Sequence, residues 1–146
     1  MEAEAKREIQ KMARAIRLRV LTHTVEGNGG YLSQACSSAE IFSVLYRSVL
    51  RLDELDAPLM PEMFAGTPCA GRKAVTGARF NGNGRRDCDN FILSPAQYAL
   101  VLYAALIEAG RMDEAGMKEY NKDGGSVEMI GAEHSPGMEV TTGSLG

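Results

Sequence analysis

Residues 91–110 read FILSPAQYALVLYAALIEAG, and this stretch decides the fold class. Its first three residues are apolar and bounded by polar ones, which is typical of a buried strand in a parallel sheet. Ser94 is a favourable helix cap, and Pro95 suits the first helical position. The helix that follows is expected to end at Gly110. A short strand that leads directly into a helix predicts an α/β domain.

Two more helices are predicted on the N-terminal side of this stretch. The first 25 residues predict an amphipathic helix that ends by the GNGG turn at 27–30, where glycine favours left-handed backbone. A second helix is predicted to begin near Ser37 or Ser38, because serine is a good N-cap, and to end around 51–53. The apolar face of the first helix consists of Ile9, Met12, Ile16 and Val20, and that of the second of Ile41, Val44, Leu45 and Val49.

The remaining segments are shorter and richer in glycine. A short helix is predicted at about 113–120 and a second strand at 138–142. A Gly/Arg-rich loop is predicted at about 60–88, and a loop this long in a compact domain is either functional or mobile. Its excess of positive charge is typical of a solvated loop, and the alternative is a site for an anionic ligand. The cations are Arg72, Lys73, Arg79, Arg85 and Arg86.

Composition excludes several classes of protein. The 146 residues suit one domain at 1–146, and an apolar share of 45% can fill a core. A net charge of −3 argues against a nucleic-acid partner. No apolar run reaches the roughly 18 residues that a membrane span needs, and the N-terminus lacks a signal-peptide pattern. Three cysteines at unpatterned spacing suggest a reducing, cytoplasmic location rather than a disulfide scaffold.

Standard ligand motifs are absent from the sequence. His23 and His134 are the only histidines, and the sequence contains neither CxxC nor HExxH, so no metal site is predicted within the chain. Neither GxGxxG nor GxxxxGK[ST] occurs, which argues against a standard nucleotide site. The final GSLG at 143–146 is the most suggestive feature, because glycine lets a backbone approach a ligand closely.

Several blocks together resemble the N-terminal part of transketolase-type thiamine-diphosphate enzymes. Residues 30–41, GYLSQACSSAEI, can be laid without gaps on the family's GHPGGSLSAADI. Residues 89–94, DNFILS, resemble DRFILS, and residues 102–106 are identical to the family's LYAAL. Residues 135–146, SPGMEVTTGSLG, resemble TPGVEMSTGSLG, which is the most specific block. The resemblance covers nearly the whole chain and implies an incomplete thiamine-diphosphate-binding fold, with a parallel sheet flanked by helices.

The resemblance also implies a reaction and its cofactors. The family transfers a two-carbon ketol unit from a ketose to an aldehyde, so the chain is expected to be part of a transferase of aldehyde or ketone groups. Thiamine diphosphate and Mg²⁺ are the implied cofactors. The family's metal ligands follow GSLG, so they are expected outside this chain. Cofactor-binding roles are implied for Gly143, Ser144 and Leu145, through backbone contacts to the aminopyrimidine.

Three family histidines are replaced in this sequence. Tyr31 and Gln97 stand where two of them are expected, and an ungapped alignment puts Met129 in the third place, with His134 nearby. Tyr31, Gln97 and His134 are therefore the candidate catalytic residues, and Met129 is expected in the core. Tyr31 could instead be a buried anchor, Gln97 a surface or capping residue, and His134 a loop histidine bonded to backbone. Because phenol and amide do not exchange protons near neutrality as imidazole does, a non-standard substrate is expected.

A sugar or ketose substrate is the implied small-molecule partner. We expect either a homodimer or a hetero-oligomer with a C-terminal transketolase-like subunit, and activity only together with the missing downstream segment or that subunit. A sequence that ends inside a ligand loop suggests a fragment or a subunit completed by another chain. The alternative function is a non-catalytic binding or scaffolding subunit that keeps the fold without the chemistry.

Overall fold

A computed structural model describes residues 2–67, 69–71, 75–82 and 87–143. Three α-helices form its framework: α1 (Glu2–His23), α2 (Leu32–Val44) and α3 (Ala99–Glu108). Each of them contacts the other two. A π-helical turn extends α1 (Thr24–Asn28), and another extends α2 (Leu45–Val49). Short 3₁₀ helices occupy Gly77–Phe80, Ala96–Tyr98 and Glu114–Glu119.

The helices predicted at the N-terminus and after residue 94 are confirmed. Met12, Ile16 and Val20 are buried on one face of α1, as the predicted stripe requires. α3 is buried on every side, because its residues 99–106 are all at most 1% exposed. An apolar helix of this kind forms the centre of a core, so α3 is the element around which the other two pack.

The predicted start and apolar face of the second helix are wrong. α2 begins five residues before Ser37, and Ile41 lies on its surface with 60% of its area exposed. The buried face of α2 and its extension instead consists of Ala35, Ala39, Phe42 and Tyr46. Of the predicted face, Ile41, Val44 and Val49 are exposed, whereas Leu45 is partly buried and packs against the core.

The two predicted strands, at 91–93 and 138–142, are also wrong for this structure. Both segments are irregular, and the ranges described contain no strand; an isolated parallel bridge joins Leu59 and Met112. Side chains make the hydrogen bonds to this backbone that a neighbouring strand would otherwise make. The Phe91 N–H donates to Glu139 Oε1 at 2.7 Å, and Thr142 Oγ1 donates to the Leu93 carbonyl at 2.7 Å. The α/β class and its parallel sheet therefore stay predictions.

The described part of the 60–88 loop is anchored rather than loose. The Gly77 N–H donates to the Glu133 carbonyl at 2.6 Å, and the Gly77 carbonyl accepts from the Gly137 N–H at 3.0 Å. Asn81 is buried and donates to the Gly137 carbonyl at 3.0 Å. Arg79 is already bound, with 2.6 Å between its Nη1 and Glu62 Oε1. The other cations of the predicted anionic site, at 72, 73, 85 and 86, lie outside the described residues.

Two negative findings apply to the part of the chain that the structure covers. No helix there combines the length and apolarity needed to cross a membrane. The three cysteines are all described, and none is in a disulfide.

Candidate functional site

A cleft of about 380 Å³ lies where the N-terminus of α2 meets the turn that precedes α3. It brings together three residues that the sequence singled out from separate blocks: Tyr31, Gln97 and Gly143. The remaining lining residues are Gln34, Ala96, Ile130 and Thr142.

A glycine pair places Tyr31 at one wall of the cleft. Gly29 and Gly30 have φ angles of 72° and 121°, which disfavour residues that carry a Cβ. A Cβ on Gly30 would also overlap the end of the buried Leu100 side chain on α3. The turn therefore sits directly on the core, and it delivers Tyr31 to the cleft with 38% of its area exposed.

The opposite wall is held together by the backbone of Ala96. Its N–H donates to the Gly143 carbonyl at 2.9 Å, and its carbonyl accepts from the Gly131 N–H at 3.1 Å. Gln97 follows in the same 3₁₀ turn and so faces the cleft next to Gly143. One residue thus fixes two loop segments against the start of the α3 region.

The polar lining consists of uncharged groups that both donate and accept hydrogen bonds. A phenol, two amides and a hydroxyl come from Tyr31, Gln34, Gln97 and Thr142. Gln34 Oε1 accepts from the Ser33 hydroxyl at 2.7 Å, which helps to orient that amide. Amides do not titrate near neutral pH, so Gln34 and Gln97 are suited to orienting a polar ligand rather than to exchanging its protons.

Gly143 leaves open space in the cleft. A Cβ built on it would meet no atom within 4 Å, so packing of the described residues does not require a glycine there. That glycine at this position provides room for a ligand stays a prediction. Ser144 and Leu145, the other two predicted cofactor contacts, lie outside the described residues.

His134 lies at a different place from the other two candidate catalytic residues. It lines a cavity of about 20 Å³ with Phe64, Arg79 and Glu133, which has room for about one water molecule. Its Nε2 lies 3.1 Å from Glu128 Oε2, within ion-pair distance but without hydrogen-bond geometry. The Phe64 ring lies 4.3 Å from the imidazole. The geometry therefore does not gather His134 with Tyr31 and Gln97.

A buried phenol lies behind the Tyr31 turn. The Tyr120 side chain is 7% exposed, and its hydroxyl has no hydrogen-bond partner among the described residues. Burial, with a smaller contribution from Tyr31, raises the pKa of Tyr120 to about 12. Its ring stands edge-on to His23 at 4.4 Å, and burial lowers the pKa of that imidazole below its ordinary value. Both groups are therefore favoured in their neutral forms.

Nearly the whole chain is similar in sequence to several known proteins. No family model matches the chain. A putative uncharacterized transketolase family protein of Sinorhizobium fredii, y4mO, is 33% identical over 141 residues, which cover 94% of this chain and 40% of that protein. Transketolase-like protein 2 of Homo sapiens is 28% identical over 138 residues, or 94% of this chain and 18% of that protein. The transketolase of Mus musculus is 27% identical with the same two coverages.

The chain is similar to transketolase-like proteins over nearly its whole length. The resemblance seen in the sequence motifs is thereby confirmed over nearly the whole chain. The chain spans 40% of the length of the first relative and 18% of the human and mouse relatives.

Residues singled out by the resemblance to transketolase-type enzymes lie around the cleft. Tyr31 and Gly143 belong to two of the resembling blocks, Gln97 stands between the blocks at 89–94 and 102–106, and the structure places all three around one cavity. Met129, which stands in the third histidine position, is partly buried and packs against the core, as expected. Its terminal carbon would lie 3.6 Å from a Cβ on Gly29, so it supports the turn that carries Tyr31.

Gln34 and Thr142 are lining residues that the sequence analysis missed. Gln34 is three residues after Tyr31 and so shares its face of α2, but the predicted helix began only at 37 or 38. A helix begun at Leu32 would have shown the pairing. Thr142 directly precedes Gly143 within the most specific block.

Proposed function

We propose that this chain is the N-terminal, thiamine-diphosphate-facing part of a transketolase-like enzyme. The enzyme would transfer a two-carbon ketol unit between a ketose and an aldehyde, with a substrate that differs from the standard ones. The observation that carries this proposal is the cleft that gathers Tyr31, Gln97 and Gly143 from blocks more than 40 residues apart. Similarity to transketolase-like proteins over 94% of the chain supports the same conclusion.

The lining fits one end of the implied cofactor. Neutral amides, a hydroxyl and backbone groups suit an uncharged aminopyrimidine, and the open space at Gly143 allows a ring to approach. The residues described contain no cluster of three or more His, Cys, Asp or Glu side chains that could hold a metal. Ligands for Mg²⁺ on the diphosphate are therefore proposed to come from outside them. When bound, the cofactor supplies an electron sink for the ketol carbon.

The chain's own residues would bind and orient the substrate. Gln97 can donate to and accept from sugar hydroxyls, and Tyr31 can add a phenolic hydrogen bond from the facing wall. Walls fixed by Ala96 hold these groups in place before a ligand arrives. A homodimer or a C-terminal transketolase-like subunit is proposed to complete the enzyme.

The non-catalytic alternative is favoured by one observation, the position of His134. The structure puts His134, which is five residues after Met129 in the sequence, into another cavity. A subunit that binds a ligand in the cleft without catalysis would need no proton-transfer group there.

Calorimetric titration with thiamine diphosphate and Mg²⁺ tests the cofactor proposal. The chain is measured alone and mixed with the polypeptides encoded beside it. We expect tight binding in the completed mixture, and Gly143→Ala should weaken it at least about tenfold by filling the open space, with the fold unchanged. Equal affinity of wild type and Gly143→Ala would show that the cofactor does not occupy this cleft.

Measurement of ketol transfer distinguishes a catalytic chain from a non-catalytic binding subunit. In the completed enzyme Gln97→Ala should lower kcat/KM for the native donor, with about 1–3 kcal/mol lost where a buried polar partner is left unpaired. The shape of the pH profile should stay the same, since no titrating group is removed. Gln10→Ala on the exposed surface of α1 is the matched control. Cofactor binding without ketol transfer to any aldehyde would support the non-catalytic alternative.

A further inference from the structure

A groove of about 520 Å³ lies between α1 and the 3₁₀ helix Glu114–Glu119. One wall comes from α1 and its extension, and spacings of three and four residues put all its members on one helical face. This wall consists of Ala15, Leu18, Arg19, Thr22, His23 and Glu26. The opposite wall comes from the end of α3 and from the 3₁₀ helix.

Two contacts show that α1 and the 3₁₀ helix run along the groove in the same direction. Arg19 Nη1 lies 2.7 Å from Glu114 Oε1, at the start of the 3₁₀ helix. Further along both segments, the Tyr120 ring stands edge-on to His23, with 4.4 Å between the ring centroids. Lys118 lines the groove and precedes Tyr120 by two residues, so it lies toward the end of the groove at which His23 stands.

Glu26 lies at the same end of the groove as Lys118, about one helical turn beyond His23. Both charged side chains are exposed, and neither forms a salt bridge with a described residue. The remaining charges of the groove are already paired, because Arg19 also lies 2.7 Å from Glu108. A carboxylate and an ammonium thus share one end of the groove without neutralising each other.

Apolar surface and a neutral imidazole complete this lining. Leu18 is 64% exposed, and it lines the groove together with the partly buried Met117. Burial holds the pKa of the His23 imidazole below its ordinary value, so that ring adds no charge near pH 7. Sites for small molecules are typically clefts of about 300–1,000 Å³ that combine apolar surface with a few polar groups. The groove has this size and this lining.

We propose that the groove binds a zwitterionic α-amino acid with an aliphatic side chain. The α-ammonium would pair with Glu26 and the α-carboxylate with Lys118, through charge-assisted hydrogen bonds. The aliphatic side chain would lie on Met117, next to Lys118, and extend toward Leu18. A ligand with a single charge would leave one of the two groove charges unpaired, so a zwitterion fits best. No groove residue lines the Tyr31–Gln97 cleft, so this site is independent of the proposed function.

An NMR titration of the isotope-labelled chain with L-leucine tests the site. The amide resonances should shift saturably, and the largest shifts are expected at Thr22, His23 and Lys118. Two analogues, 4-methylpentanoic acid without the ammonium and 3-methylbutylamine without the carboxylate, should each bind about tenfold more weakly. The absence of shifts at millimolar leucine would overturn the proposal. Binding of either analogue as tight as that of leucine, or largest shifts at Tyr31 and Gln97, would also overturn it.

Variants that remove one charge at a time test the assignment of the two ends. Glu26→Gln and Lys118→Gln should each weaken leucine binding about tenfold, because each removes one ion pair at nearly constant side-chain size. Glu4→Gln and Lys6→Gln are the matched controls, since both residues are exposed on α1 outside the groove, and they should leave the affinity unchanged. Far-UV circular dichroism shows that each variant keeps its helices. Unchanged leucine affinity in either groove variant overturns the proposal.

Discussion

Gly77→Ala should be among the most destabilising single-methyl changes in this chain. The Gly77 backbone lies directly against residues 133–138, to which it is joined by two hydrogen bonds of 2.6 and 3.0 Å. A Cβ would overlap the Ser135 carbonyl oxygen, lie 2.6 Å from its carbonyl carbon and 2.9 Å from the Met138 oxygen. The first carbon–carbon distance is about 0.9 Å shorter than the roughly 3.5 Å of normal contact. Backbone cannot rotate away as a side chain can, so the two segments must separate.

The expected loss of stability follows from the contacts that separation breaks. Overpacking costs about 1–3 kcal/mol. Two backbone hydrogen bonds contribute about 1 kcal/mol each. The sum is about 3–5 kcal/mol, which is a large part of the roughly 5–15 kcal/mol that stabilises a typical domain.

Gly143→Ala is the matched control for this measurement. Neither glycine has a left-handed φ, and a Cβ at 143 meets nothing within 4 Å. The control should be unchanged or up to about 1 kcal/mol more stable, since alanine reduces the entropy of the unfolded chain. Urea unfolding followed by far-UV circular dichroism gives both free energies, as the chain has no tryptophan. A difference below about 1 kcal/mol between the two variants would refute the close-contact argument.

Two further predictions concern buried polar groups. Tyr46→Phe removes the hydroxyl that donates to Asn81 Oδ1 at 3.0 Å, and it should cost about 1–3 kcal/mol in urea unfolding, with no added cost when Asn81 is already alanine. Additive losses would contradict this coupling. Burial lowers the pKa of His23 below 6.5, so the unfolded state binds its proton more readily, and stability should fall as pH drops through and below 6.5. His23→Phe should flatten that slope in urea unfolding between about pH 6.5 and 5, and an unchanged slope would count against the cause.

The helices were predictable to the extent that their local signals matched their tertiary role. The stripe on α1 and the apolar run of α3 predicted both helices correctly. For α2 the serine signal was misleading, because Ser37 and Ser38 donate to the Gln34 carbonyl within the helix rather than capping its start. The true start follows Tyr31, which makes no side-chain cap. The preference of serine for N-cap positions marks several possible helix starts, and tertiary packing determines which of them is used.

Whether residues 91–93 and 138–142 form strands could not be predicted from each segment alone. An apolar triplet such as 91–93 becomes a strand only if a neighbour supplies ladder hydrogen bonds. In the described structure the Phe91 N–H and the Leu93 carbonyl are bound by the side chains of Glu139 and Thr142 instead. The triplet correctly indicated that Phe91 and Leu93 are buried, at 9% and 8% exposure, but not that Ile92 is 61% exposed.

The candidate site was predictable where the resemblance supplied it. Motif blocks named Tyr31, Gln97 and Gly143, and the fold brings them together. His134 was selected for its chemistry, but neither its distance from Tyr31 nor the Phe64 ring beside it can be read from sequence spacing. The tertiary arrangement of loops that are distant in sequence determines which reactive side chains line the same cavity.

The two hydrogen bonds of Ala96 have a consequence for the energetics of ligand binding. Because its N–H binds Gly143 and its carbonyl binds Gly131, neither loop can swing outward without giving up a bond. The conformational entropy of both loops is therefore lost when the chain folds, and a ligand entering between Tyr31 and Gln97 meets walls that are already ordered. Binding here would show a small entropic penalty from the protein, and selectivity would come from shape rather than from closure of the loops.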